Sequence, residues 1–314
     1  MDAETKMPKG SRRITAYDDD DHAEDLTGLS IGEYGYKYRE LEQLIVPPYV
    51  TPERYQLARS IKLRSSDICY GSYPKSGSTW LAHIIVLITN NGVAPPNGTL
   101  RSHLNWVGSS WTYPRTREEL ENLASPRIFK SHMPCNMALG GDPVSSEGKY
   151  IYIARNPKDV AVSYYYFESE KAWSGHYNGP WEHWLKIWME GKVQRGNWFD
   201  HVLSWWNKRK LDNVLFLKYE DMLGDFPGQL KQIASFLGYD PGPEVLSDIQ
   251  RLTSFTVMKK DNFSNMHEIE DFEGFFREGK VGSWRTQFTA EQDRVFNELI
   301  KTRLAGSGLE FEYD

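Results

Sequence analysis

The stretch SDICYGSYPKSGSTWLAHIIVLITN, residues 66–90, constrains the fold more than any other part of the chain. SDICYGSYP at 66–74 reads as a short strand ending in a turn, and STWLAHIIVLITN at 78–90 as a buried helix with apolar residues all round it. Pro74 stops the strand and Gly77 permits a tight turn. The backbone N–H groups of residues 76–80 would then point into the mouth of the helix, where its dipole favours an anion, and Ser76, Ser78 and Thr79 add hydroxyl donors. An ordinary Pro/Gly turn before a buried helix is the other reading of the same residues. Lys75 precedes the glycine, whereas a GxxxxGK[ST] nucleoside-triphosphate loop places its lysine after the second glycine, beside a Ser/Thr for magnesium. Gly148-Lys149 and Gly279-Lys280 fail that pattern on the next residue. The loop is thus expected to bind a phosphate without needing Mg²⁺.

Further strands and helices alternate. PRIFKSH (126–132), KYIYIARN (149–156) and NVLFLKYED (213–221) read as strands, and PKDVAVSYYYFES and FPGQLKQIASFLG as helices, with a helix-rich stretch from Pro180 to Lys210 between them. This order predicts an α/β fold, a central, mostly parallel sheet with helices on both faces, whose ligands sit at the carboxyl ends of the strands. The chain has 314 residues, 39% hydrophobic and 25% charged, and no internal repeat, so one domain over 29–314 is the economical reading. Residues 1–28, with the acidic run YDDDDHAED, read as a disordered tail. A net charge of −6 argues against nucleic-acid binding by bulk electrostatics, while leaving room for a local basic pocket. Cys69 and Cys135 form no CxxC pair, so neither a disulfide scaffold nor a zinc site is indicated. No apolar run is long enough to span a bilayer, and a cytoplasmic protein is expected.

Three other stretches carry chemistry. In IFKSHMP, Lys130 and His132 are two apart and share one side of an extended segment, a cation beside a potential proton acceptor. Arg155 follows a strand and precedes a helix start, a natural place for a phosphate contact or an ordinary ion pair, and Ser163 lies about two turns further along. In FFREGKVGSWRTQFT, Arg277, Lys280 and Arg285 cluster around Gly279 and Gly282, a loop suited to wrapping an anion or simply to solvation. Trp106, Trp111, Tyr113, Phe263, Phe272, Phe275 and Phe276 could line an apolar acceptor cleft, or pack.

Together YPKSGSTW, FKSHMP, ARNPKDVAVSYY, LKYEDM, TSFTVM and FFREGKVGSWRTQFT resemble, in order, the segments of the cytosolic PAPS-dependent sulfotransferases, over roughly residues 40–305. The resemblance implies PAPS as sulfuryl donor, PAP as product, no metal, and a small-molecule acceptor, aromatic or apolar, reacting through a hydroxyl or amine. It implies that Lys75 meets the bridging oxygen between phosphate and sulfuryl group, that His132 is the general base, and that Lys130 stabilises the transition state. Ser76, Gly77, Ser78 and Thr79 would cradle the 5'-phosphosulfate; Arg155, Ser163, Arg277, Glu278 and Gly279 would surround the 3'-phosphate, Ser163 also holding Lys75 back until an acceptor arrives. Trp80, Tyr219, Thr253 and Phe255 would frame the adenine, Ser254, Met258 and Phe276 would also contact the donor, and Lys130, His132, Trp106 and Tyr113 would face the acceptor. The chain departs from the family with Glu278 for a lysine and Ser283 for an aspartate. Its Arg285…Thr289-Ala290…Arg294 replaces the dimer motif KxxxTVxxxE, so a monomer, or a dimer built otherwise, is expected. A PAP-binding protein with little turnover and an atypical nucleotide kinase are the alternative readings.

Overall fold

A computed structural model describes residues 28–105, 116–170, 175–264 and 276–314. The acidic tail, and Trp106, Trp111, Tyr113, Phe272 and Phe275, lie outside them. In chain order the elements are strands β1 (Leu29–Ile31), β2 (Lys37–Leu41) and β3 (Leu44–Val46), helix α1 (Pro52–Ser60), β4 (Ile68–Gly71), α2 (Ser78–Thr89), α3 (Arg117–Asn122), β5 (Ile128–Ser131) and β6 (Lys149–Ala154). There follow α4 (Pro157–Glu170), α5 (Trp181–Met189), α6 (Trp198–Trp206), β7 (Val214–Lys218), α7 (Tyr219–Gly224), α8 (Phe226–Leu237), α9 (Pro243–Leu252), α10 (Phe255–Lys260) and α11 (Ala290–Leu304). No helix among the described residues is long and apolar enough to cross a membrane.

The central sheet has the order β5-β4-β6-β7 with every pairing parallel. Its short strands are apolar on both faces because both faces are covered. Side chains alternate across a strand, so Cys69, Phe129, Tyr150, Tyr152 and Val214 enter one core with α4, α5, α6 and Phe296 of α11. Ile68, Tyr70, Ile128, Ile151, Ile153, Leu215 and Leu217 enter the other with α2, α8 and Ile249 of α9. The tryptophans of WEHWLKIW fall on one stripe of α5, and Trp181, Trp184 and Trp188 are buried in the first core. The expected strand at 213–221 is shorter than its apolar pattern suggests: at Tyr219 the backbone turns into α7, which buries Tyr219, Glu220 and Met222. The antiparallel β1-β2-β3 sheet is a separate layer that the sequence reading did not anticipate.

Parallel pairing aligns the ends of all four strands, and the connections that leave those ends build one cleft. After β4 the chain makes its turn through Lys75, at φ 69°, and Gly77, at φ 99°, before α2 begins. A Cβ on residue 77 would lie 2.8 Å from Tyr219 Cδ2. Both the backbone angle and the ring therefore demand glycine there. Gly77→Ala is expected to lower stability by about 3 kcal/mol and to weaken anion binding at the α2 N-terminus. Chemical denaturation checks the first part, and a wild-type midpoint in the variant would contradict it.

Candidate active site

The cleft at the strand ends has a volume of about 420 Å³ and is lined by the phosphate turn, the ends of β5 and β6, one face of α4, and the segments around 219–226, 250–258 and 276–283. Lys75, Gly77, Ser78, Thr79, Trp80, Lys130, His132, Arg155, Ser163, Tyr219, Thr253, Ser254, Phe255, Met258, Phe276, Arg277, Glu278 and Gly279 all face it. Residues scattered over two hundred positions of sequence are thus brought to one place. Ser76 is fully buried behind the turn, and its Oγ has no hydrogen-bond partner among the described residues.

At one end of the cleft stands His132. Its Nδ1 is 2.8 Å from the carbonyl oxygen of Ser72. A carbonyl can only accept, so Nδ1 carries the proton and Nε2 keeps its lone pair. Burial, then Lys130 and Arg195, hold the ring's pKa well below the usual histidine value, so the free enzyme keeps His132 neutral. The backbone of His132 is fixed in turn: His201 donates Nε2–H to its carbonyl at 3.1 Å and accepts the Tyr152 hydroxyl proton on Nδ1 at 2.8 Å. Tyr152 receives the Tyr73 N–H at 3.0 Å. One buried chain therefore ties the histidine to the residue just before the phosphate turn.

The cations have unequal surroundings. Arg155, at the end of β6, donates to Asp159 at 3.2 Å and to the Lys280 carbonyl at 2.8 Å, with its guanidinium 4.6 Å from the Tyr219 ring centre. Its buried Nε has no hydrogen-bond partner among the described residues. Lys75 Nζ lies 4.6 Å from the Phe167 ring centre, one turn along α4 from Ser163. Lys130 is buried, and this together with the like charges of Lys75 and Arg101 lowers its pKa to about 7.

The loop beyond Phe276 is pinned by Asp159, a fully buried carboxylate. Asp159 accepts from Asn156 Nδ2 at 2.9 Å, from the Gly282 N–H at 3.1 Å, and from the Trp284 N–H and Ser283 Oγ at 2.9 Å. Ser283 also accepts from Arg277 at 2.7 Å, so this departure from the family pattern has a place in the network. Glu278, the other departure, takes Arg277 at 2.8 Å and Lys280 at 3.0 Å. Aromatic walls complete the site: Trp80 packs edge-on to Tyr219 at 5.6 Å and against Phe226 at 5.0 Å, and Phe255 meets Phe276 edge-on at 6.1 Å. The hydroxyls of Thr253 and Ser254 donate to the carbonyls of Ile249 and Arg251, so toward a ligand they can only accept.

Sequence reasoning missed Tyr49, Arg101, Phe167, Glu168, Gln194, Arg195, Phe226 and Gln250, all of which line the cleft. Most lie outside any motif, and no local pattern marks them. Asp159 lay inside the quoted ARNPKDVAVSYY segment and was passed over for Arg155 and Ser163.

A neutral histidine and several cations lining one cleft, on a parallel sheet with a lysine-first turn, fit a group transferase acting on an anionic donor. The comparisons give the family. The sulfotransferase domain family matches residues 65–308. A rat protein, sulfotransferase 1 family member D1, is 37% identical over 268 residues, covering 82% of this chain and 90% of its own. Dog sulfotransferase 1B1 is 34% identical, covering 84% and 92%. Among solved structures, a mouse sulfotransferase complexed with PAP superposes with a TM-score of 0.72 at 30% identity, over 86% of this chain and 95% of that one. The chain belongs to the sulfotransferase family.

The charge on Lys130 should respond to an anion. With a pKa of about 7 in the empty cleft, it is mostly neutral at about pH 8 and charged at about pH 6. A bound anion raises that pKa, so PAP binding at the higher pH takes up a proton that binding at the lower pH does not. Calorimetry in buffers of different ionisation enthalpy is expected to show nearly one more proton taken up by wild type than by Lys130→Met at about pH 8, and little difference at about pH 6. Equal uptake by both proteins throughout would refute the assignment.

Proposed function

We propose that the chain moves the sulfuryl group of PAPS to a hydroxyl, or an amine, of a small acceptor, with His132 as general base. The observation that carries this reading is the tautomer of His132, whose Nδ1–H is committed to Ser72 and whose Nε2 is left as the proton acceptor beside Lys130. The fit to the donor rests on the buried, unsatisfied Nε of Arg155, the left-handed turn at Gly77 and the aromatic walls around Trp80 and Phe255.

Amides of the 76–80 turn and the hydroxyls of Ser78 and Thr79 hold the 5' end of the donor, while Arg155, Ser163 and Arg277 hold its 3'-phosphate. The donor supplies a sulfur bonded to a 5'-phosphate oxygen. His132 Nε2 takes the acceptor's proton as the acceptor atom bonds to sulfur. The bond from sulfur to the phosphate oxygen breaks, its electron pair stays on that oxygen, and Lys75 meets the charge that grows there. Lys130 stabilises the equatorial oxygens in passage. The low basicity of His132 in the empty cleft comes from burial and from Lys130 and Arg195. The donor's own negative charge offsets Lys130, so the base strengthens when it is needed.

His132→Ala is expected to lower kcat by a factor of roughly a hundred to ten thousand while PAP binds within a few-fold of wild type. Radiolabelled sulfuryl transfer and PAP calorimetry measure the two quantities, and loss of both together would contradict the assigned role.

Glu278 pairs with both Arg277 and Lys280 and offsets one of their two charges, at the mouth of the 3'-phosphate region. Glu278→Lys frees both and adds a charge, so PAP should bind about tenfold tighter at low salt, with the gain shrinking as salt is raised. Unchanged affinity at every ionic strength would remove this loop from the 3'-phosphate site.

A further inference from the structure

We propose that the acceptor carries an anionic oxygen, in its simplest form a carboxylate, on the side of its skeleton away from the reacting group, and that Arg195 receives it. This rests on the sulfuryl-transfer reading of the same cleft. Arg195 is 1% exposed, lines the cleft with His132, lies close enough to influence His132 electrostatically, and is both the charge neighbour and a side-chain hydrogen-bond partner of Tyr49. It comes from the turn between α5 and α6, where its backbone sits at φ 72°, a conformation that side-chain-bearing residues seldom adopt. The turn is held by its N–H donating to the Ile45 carbonyl at 2.7 Å and by Gly196 N–H donating to Val193 at 2.9 Å. Nη1 meets the sulfur of Met133 at 3.2 Å, a weak acceptor for a guanidinium. Nη2 is buried with no hydrogen-bond partner among the described residues.

A buried guanidinium held only by a thioether and a phenol, with Nη2 unmatched among the described residues, is a poor neighbour for a hydrocarbon and a good one for a carboxylate, which its planar fork matches. Glu168 of α4 is buried on the same cleft with the opposite charge. The cations Arg101, Lys130 and Arg195 outnumber it, and the donor's sulfuryl end draws on Lys130 and Lys75 rather than on Arg195. An acceptor built as a hydroxylated ring with an acidic side chain would place its hydroxyl at His132 and its anion at Arg195.

The test compares three phenols with PAPS as donor: para-cresol, which is neutral; tyramine, a cation; and para-hydroxyphenylpropanoate, an anion of similar shape. For wild type, kcat/KM is expected to be roughly ten to a hundred times higher for the carboxylate than for para-cresol, with tyramine lowest. In Arg195→Gln this preference should shrink to within a few-fold, and Arg195→Lys, which keeps the charge but not the fork, should fall between. PAP calorimetry on the same preparations reports whether each variant is folded, and the wild-type series decides the matter even where one is not. Transfer to para-cresol with no preference for the carboxylate, a preference for tyramine, or a preference that survives in folded Arg195→Gln would each overturn the proposal while leaving sulfuryl transfer in place. No transfer to any of the three phenols by protein that binds PAP would overturn this proposal, whereas the transfer reading falls only if alcohols and amines also go unsulfated.

Discussion

The site depends on one buried carboxylate. Asp159 is fully enclosed in the first turn of α4, where the helix dipole and the surrounding donors make a charge tolerable. Through it the end of β6, which carries Arg155, is joined to a loop more than a hundred residues away that carries Arg277 and Glu278. Asp159 adds to the loop's other anchors, the Arg277 guanidinium over the Tyr166 ring at 5.5 Å, the Phe255–Phe276 contact and the Lys280 carbonyl on Arg155. Asp159 thus gathers cations by being negative itself: it fixes their orientation and leaves other donor atoms, such as Arg155 Nε, without a partner among the described residues.

The same logic separates the cations by role. Arg155 and Arg277 are each paired with a carboxylate, and neither needs to change its charge to hold a phosphate. Lys130 lies among like charges and is poised to gain or lose a proton near neutrality. A group with that property belongs where charge appears and disappears during a reaction, beside His132, rather than where a fixed phosphate is held. Glu278 extends the pairing outward, since it binds two cations that would otherwise add to the field at the cleft mouth.

Much of the cleft lining was legible in the sequence because those residues come in short local runs. YPKSGSTW must be a strand end, a left-handed turn and a helix start to be written at all, and its alternating and all-round apolar flanks gave the parallel sheet. The strand at 213–221 was drawn too long because Tyr219 and Met222 are apolar for packing α7, not for continuing β7. The β1-β2-β3 layer has no period that stands out in sequence because its strands are three to five residues long and only Arg39, Leu41 and Val46 of them are buried. Ser283 and Glu278 were visible as departures but not interpretable, since their partners, Asp159 and Arg277 with Lys280, are defined only by the folded loop.

The part of the cleft around Tyr49, Glu168 and Arg195 was illegible for a structural reason. Tyr49 follows the N-terminal sheet, Glu168 sits near the end of α4, and Arg195 sits in the turn before α6, so no two of them belong to one motif. Their chemistry nevertheless reaches His132: Arg195 is among the charges that hold its pKa down. An acceptor anion that neutralises Arg195 would remove part of that field and make Nε2 a stronger base at the moment its own hydroxyl arrives. Selection of the acceptor and activation of the base are then one electrostatic event. A neutral acceptor of the same shape would be bound less well and would also meet a weaker base, which places part of its discrimination in kcat as well as in KM.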